Sequence, residues 1–301
     1  MKKLIPLLLS MAITLVAGGF FTQVHAQDPT KDDKPTFYRL IPGVYVNPWP
    51  RFTITYPKDW VEHPHSLIAS EVFSVSSPAP AQPSSLHVFV LLAPYTLDKF
   101  ADSLVTWFKD VGVTKVTVKS DKPSKLRDGT PAREVEIKIV HGGQAVNIMY
   151  LATIKNDLLI YVSVIPQSGK VGKDLKAIAY SLEFQAGKEE RLKLPPDVQE
   201  FLDRNCSAHV AFNVAQLMTY YSDRYLNSGR RKAEMEKINR QMIVPIKSCE
   251  IGITEFVSEG DRAHLAGFIT SYWGKEMLQE TSIIKENGEW KWCGNQRDVV
   301  P

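Results

Sequence analysis

Cysteine is scarce in this chain and catalytic motifs are absent. Only three cysteines occur, Cys206, Cys249 and Cys293, all in the last third of 301 residues. None is spaced C-x-x-C, so neither a redox pair nor a zinc ribbon is expected, and no metal site is predicted. In an oxidising compartment they permit one disulfide in three possible pairings, with one thiol left over; the alternative is three buried thiols acting as small hydrophobes. G-x-S-x-G, G-x-G-x-x-G and the P-loop pattern are missing, which removes the nucleophile elbow, the dinucleotide fingerprint and the phosphate cradle. A dominant charge is missing too. Lysine and arginine number 36 against 33 aspartates and glutamates, and without Lys2 and Lys3 the balance is 34 against 33. A net charge near +1 is no footprint for nucleic acid, which calls for a concentrated basic face. The sequence names no reaction and no cofactor.

What is present begins with a leader. Lys2 and Lys3 precede an apolar run from Leu4 to Val16, and Val24-His25-Ala26 offers small residues at a cleavage site. Residues 1–26 read as a secretory signal removed before Gln27, giving a secreted or periplasmic protein. A retained anchor is the alternative, but Gly18 and Gly19 interrupt a run already short of the ~20 apolar residues a spanning helix needs. No later stretch is long enough to span, so no transmembrane segment is expected after cleavage. Residues 27–36 (QDPTKDDKPT) are a polar lead-in. The remaining length exceeds one ordinary core, so two domains are expected, at 37–186 and 197–301, with GKEERLKLPP (187–196) as linker.

In the first domain, RFTITYP alternates and stops at Pro57, EVFSVSS and LHVFVLL follow as strands, and PAPAQPSS separates them as a loop. Leu97, Phe100, Ala101, Leu104, Trp107, Phe108 and Val111 recur at helical spacing over 96–111, with Thr96 as cap and Gly112 as stop. Strands near 113–119, 132–140, 145–154 and 158–164 form a meander through tight turns, and a second helix spans 172–182. The result is an antiparallel sheet flanked by helices, an α+β domain. FTITYPKDW with Trp60, Asp128-Gly129-Thr130-Pro131-Ala132 entering a hairpin, and the ending Ser181-Leu182-Glu183-Phe184 resemble PsbP-like domains of the Mog/PsbP fold. The resemblance covers about half the chain. It implies an extracytoplasmic, non-enzymatic binding or assembly role and carries no catalytic residue.

The second domain places helices first: an amphipathic stretch from Asp197, a helical continuation over Gln216–Leu226 stopped by Gly229, and a charged helix over Arg230–Met242. Four strands follow at 248–257, 263–273, 275–285 and 289–294, with Glu259-Gly260-Asp261 and Asn287-Gly288 as hairpin turns. TYYSDRYLNSGR and SIIKENGEWKWCGNQ resemble the nuclear transport factor 2-like (SnoaL-like) superfamily. That resemblance implies a cone-shaped α+β domain with a curved antiparallel sheet, and leaves function open because the fold hosts isomerases, hydrolases and inert scaffolds.

In the last strand Trp290, Trp292 and Gly294 share one face while Glu289, Lys291 and Cys293 share the other. The tryptophans read as core filling, or as a wall for a small apolar ligand together with Tyr221, Tyr225 and Phe268. An enzymatic alternative places His264, Tyr272 and Glu280 inside the cone as a base with orienting groups. Asp223 lies away from the tyrosines and pairs with Arg224, Arg230 or solvent. Cys206 and His209 are three apart on a helix, a dyad or simply a packed pair. His63-Pro64-His65 is the single close histidine pair and too small a set for a metal; Glu62 and Glu71 lie near in sequence with nothing fixing them in space. Lys115, Lys119, Lys122, Lys125 and Arg127 form a basic stretch, an edge strand in solvent or a contact for an acidic partner; Arg230-Arg231-Lys232 has the same two readings. The predicted function is a non-enzymatic binding or accessory protein, meeting an envelope protein through the first domain and a small apolar ligand in the second.

Overall fold

The structure, a computed structural model, describes residues 43–63, 70–78, 83–141, 143–167, 169–185, 191–227, 229–242, 247–271 and 274–295. The leader and lead-in (1–36), residues 187–190 of the expected linker, Pro64, His65 and Tyr272 lie outside this set. The protein is α+β, with mostly antiparallel sheets arranged in two compact units. Of the described residues, 43–45 and 53–184 belong to the first unit, and 46–52 and 185–295 to the second.

The first unit contains strands β1 (Val44–Asn47, shared with the second unit), β2 (Phe52–Thr55), β3 (Val61–Glu62), β4 (Glu71–Ser76) and β5 (Ser85–Leu92). Helix α1 (Phe100–Asp110) follows a single 3-10 turn at Leu97–Lys99. Then come β6 (Lys115–Lys125), β7 (Pro131–His141), β8 (Gln144–Lys155), β9 (Leu158–Ile165), α2 (Lys173–Ala179) and β10 (Glu183–Phe184). Among the described residues the main sheet runs β3-β4-β5-β9-β8-β7-β6, all antiparallel, and β1, β2 and β10 form a small separate sheet. The helical stripe predicted over 96–111 packs as expected: Phe100, Ala101, Leu104 and Phe108 bury against Val135, Ile137, Ile148 and Tyr150. Thr96 makes no side-chain cap, so the helix starts through the 3-10 turn instead. Asn156 and Asp157, at φ 51° and 62°, form the tight turn between β8 and β9.

The second unit holds α3 (Pro196–Val210), α4 (Val214–Thr219), β11 (Tyr221–Asn227), β12 (Arg230–Arg231), α5 (Lys232–Met242), β13 (Glu250–Glu259), β14 (Arg262–Ser271), β15 (Gly274–Met277), β16 (Ser282–Glu286) and β17 (Glu289–Gly294). Its sheet runs β12-β11-β17-β16-β14-β13, with β15 also paired to β14. Two expectations fail here. The helix predicted to continue to Leu226 ends at Thr219, because Tyr221–Asn227 pairs parallel to β17, with Tyr221 opposite Trp292. Aromatic residues suit a half-buried pleated surface, and the free edge of β17 outweighs helical spacing. The single strand predicted over 275–285 is two strands. Met277 pairs with Phe268 and Ser282 with His264, so the chain kinks at 278–281 to meet β14 twice. The Asn287-Gly288 turn is as predicted, at φ 53° and 81°.

Residues 191–195, read from sequence as the end of a linker, pack on this unit. Leu192 donates its N–H to Ile253 O at 2.8 Å, and Leu194 is buried in the core. Cys206 on α3 and Cys249 before β13 form a disulfide; Cys293 is buried beside Ile284. The bridge leaves Cys206 without a thiol, which closes the Cys206–His209 dyad.

Candidate functional site

Alternation along β14 divides the predicted site. Ala263 and Leu265 belong to the core beneath the helices, so His264 between them points to the opposite face, and Phe268 follows it. On the core side Tyr221, Tyr225, Trp290 and Trp292 are buried together. The rings of Tyr221 and Tyr225 meet edge-on at 4.9 Å, and Trp292 meets Phe201 of α3 edge-on at 5.1 Å. Trp290 donates its indole N–H to Asp197 Oδ2 at 2.8 Å. Asp197 is the second residue of α3, after Pro195 and Pro196. Its carboxyl is held below the usual range by Lys285, 3.0 Å away, and by Trp290.

Glu280 joins the tyrosines rather than His264. Tyr225 donates its hydroxyl to Glu280 Oε1 at 3.3 Å. The residue is only half-buried, but its carboxyl end is turned inward, and burial raises its pKa above the ordinary carboxyl value. Burial, and then the Glu280 charge, push both tyrosine hydroxyls well above 10. His264 is buried opposite Ser282, and burial lowers its pKa to about 3. Phe268 lies across Gly252, against Trp49 at 5.2 Å, with Lys275 and Arg191 cations 3.7 and 5.0 Å from its ring. Asp223 is exposed to solvent, one of the expected alternatives, and also pairs with Lys232 at 2.7 Å. The structure thus brings together Tyr221, Tyr225, Trp290, Trp292 and Glu280, and places His264 and Phe268 on the other side of the sheet.

Open space lies elsewhere in the second unit. A cleft of about 520 Å³ runs between α3 and β13, and the Cys206–Cys249 bridge forms part of its wall. Leu192, Leu194, Val210, Ala211, Ile251 and Ile253 supply its apolar surface, and an Arg191–Glu250 ion pair and Asp203 supply charge. Leu192 and Val210 are exposed large hydrophobics. Sequence reading missed this cleft because its residues come from the assumed linker, the first helix and the start of β13, which only folding joins. Among the described residues no group of three His, Cys, Asp or Glu side chains is placed to hold a metal ion. No helix among them is long and apolar enough to cross a membrane.

In the first unit β6 is an edge strand, with Lys115, Lys119, Lys122 and Lys125 exposed and Pro123 among them. Lys122 reaches back to Glu134, which is buried and also receives Tyr180 at 2.6 Å and Lys176 at 3.0 Å. Burial alone would raise the Glu134 pKa; these three hydrogen bonds outweigh it and lower it.

No family model and no curated protein matches this sequence. Solved structures similar to it include the cyanobacterial PsbP of Synechocystis, 12% identical over 47% of this chain and 91% of that one, with a TM-score of 0.39. The Saccharomyces cerevisiae Ran-binding protein Mog1p is 12% identical over 44% of this chain and 89% of its own, with a TM-score of 0.34. A Bacteroides thetaiotaomicron protein is 10% identical over 83% of this chain and 88% of its own, with a TM-score of 0.35. PsbP and Mog1 each cover about half of this chain.

Proposed function

We propose that this is an extracytoplasmic binding or accessory protein whose second unit holds a small apolar ligand with one polar end. On this reading the first unit is a PsbP-like domain that meets an envelope protein along the basic β6 edge. The second is a cone of the nuclear transport factor 2-like type, with its hollow filled. The observation that carries the binding role is the contrast inside the second unit. Its helix-facing aromatic residues are packed ring against ring, while the open volume is the cleft of mixed polar and apolar lining beside the disulfide. A concavity that sets apolar side chains beside placed polar and charged groups can hold a small molecule with one polar end. The leader motif and the disulfide both support an oxidising compartment outside the cytoplasm.

Binding of the fluorescent anion 1-anilinonaphthalene-8-sulfonate tests the cleft. The folded protein should enhance its emission saturably, and Val210→Glu, which puts a charge on the exposed lip, should weaken binding at least ~10-fold with the melting temperature unchanged. Equal binding by the variant rules the cleft out. A second reading, acid–base chemistry in the cone, is favoured by the Tyr225–Glu280 contact alone, and it predicts a titration of activity that Tyr225→Phe removes.

A further inference from the structure

The half-buried chemistry of the first unit includes a Ser-His-Glu relay that no sequence motif announces. On β5, residues 85 and 87 share a face by strand alternation. Ser85 Oγ lies 3.0 Å from His87 Nε2, and His87 Nδ1 lies 2.5 Å from Glu71 Oε1 on the neighbouring strand β4. The order of atoms is that of a nucleophile, a general base and an orienting carboxylate. Glu71 is almost wholly enclosed, its side chain 3% exposed, whereas His87 keeps 19%. A carboxylate bonded at Nδ1 fixes the tautomer in which Nε2 carries the lone pair facing the serine.

The surroundings add two further parts. Ser76 pairs directly with Ser85 across β4 and β5, which sets their Cβ atoms ~5 Å apart. His63 Nε2 lies 2.8 Å from Ser76 Oγ, and burial, followed by repulsion from His87, lowers the His63 pKa. A neutral His63 donating from Nε2 leaves the Ser76 hydroxyl hydrogen to point at an oxyanion formed beside Ser85. The neighbours of His87 on its own rung are Ser74 and Ser163, small hydroxyls that form a low floor. One rung further, Phe89 and Tyr161 stack at 4.6 Å and form an aromatic wall.

We propose that Ser85 is an activated nucleophile, with His87 as general base, Glu71 as positioning residue and Ser76 as oxyanion donor, acting on small esters with an apolar acyl group. Ser85 Oγ attacks the acyl carbon while its proton passes to His87 Nε2. The tetrahedral oxyanion accepts the Ser76 hydroxyl. Collapse breaks the ester C–O bond, and the proton on His87 goes to the departing alkoxide, leaving an acyl-serine. Water then attacks the acyl carbon and its proton passes to His87; the acyl C–Oγ bond breaks, His87 returns the proton to Ser85 Oγ, and the carboxylic acid leaves. The relay lies in the first unit and is independent of ligand binding in the second.

The test is labelling of the full chain by a fluorophosphonate, in which an O–P bond forms at the serine and fluoride leaves, alongside hydrolysis of p-nitrophenyl acetate. One adduct per chain is expected, mapped by peptide mass spectrometry to Ser85. Ser85→Ala should abolish it, and His87→Ala should slow it by at least ~10²-fold. Glu71→Gln should slow labelling and Glu71→Asp should restore part of the rate, a rescue that a merely structural role would not produce. Ser103→Ala, on the exposed face of α1, should label at the parental rate. Absence of an adduct on Ser85 in protein with an intact circular dichroism spectrum and melting temperature overturns the proposal, leaving the relay as a polar wall. So does an adduct elsewhere, or an undiminished rate in His87→Ala.

Discussion

His264 carries a clear pH signature. Its pKa falls from 6.5 in the open chain to about 3 in the fold because burial penalises the imidazolium. The folded state therefore resists a proton that the unfolded chain accepts. Stability from this group is intact above pH ~6.5 and is lost as the pH falls toward 3. At ~1.4 kcal/mol per tenfold difference in proton affinity, the loss amounts to a few kcal/mol. Glu280, Glu255 and Glu276, raised by burial, act in the opposite sense and favour the fold as pH falls. Comparison with His264→Gln isolates the histidine: urea midpoints measured from pH 7 to pH 4 should decline less steeply in the variant. The position of His264 was legible in part. Its place at the start of a strand, sharing a face with Phe268, follows from the sequence. That this is the face away from the tryptophans does not, since alternation specifies two faces without saying which one the helices cover. The Ser85–His87 spacing was equally visible, but Glu71 joins it only through the β4–β5 register, which includes an irregularity between Glu71 and Phe73.

At the level of elements, β17 shows how much a period can say. Trp290 and Trp292 two residues apart, after an Asn-Gly turn, determined a terminal hairpin strand with both rings on one side. Trp292 is 2% exposed and packed on Phe201. Trp292→Ala should cost ~3–5 kcal/mol, read as a lower urea midpoint at unchanged slope, because the cavity left between α3 and the sheet cannot fully collapse. The segment around Tyr221 shows the limit. Residues four apart share a face in a helix and in a strand alike, so Tyr221 and Tyr225 meet as predicted although the element was misassigned. The decision belonged to β17, whose unpaired edge recruits the segment into parallel pairing from about seventy residues downstream in sequence.

For the molecule as a whole, the Cys206–Cys249 bridge is the covalent tie in the second unit, closing a sequence separation of 43 residues between α3 and the approach to β13. In the chain-entropy view a loop of that length is worth about 4 kcal/mol. Replacing both cysteines by serine should lower the urea midpoint of the second unit and leave the β-sheet signal of the first unchanged when each unit's melting is followed separately. An unchanged midpoint would mean that the bridge constrains nothing the fold does not already hold. Composition, motif absence and periodicity determined the α+β class, most strands and the inward tryptophans, because these depend on spacing within one segment. The tertiary structure alone decided which cysteines pair, that a cleft opens between α3 and β13, and that Ser85, His87 and Glu71 meet. Those outcomes depend on register and packing between segments distant in sequence, which local periodicity does not encode.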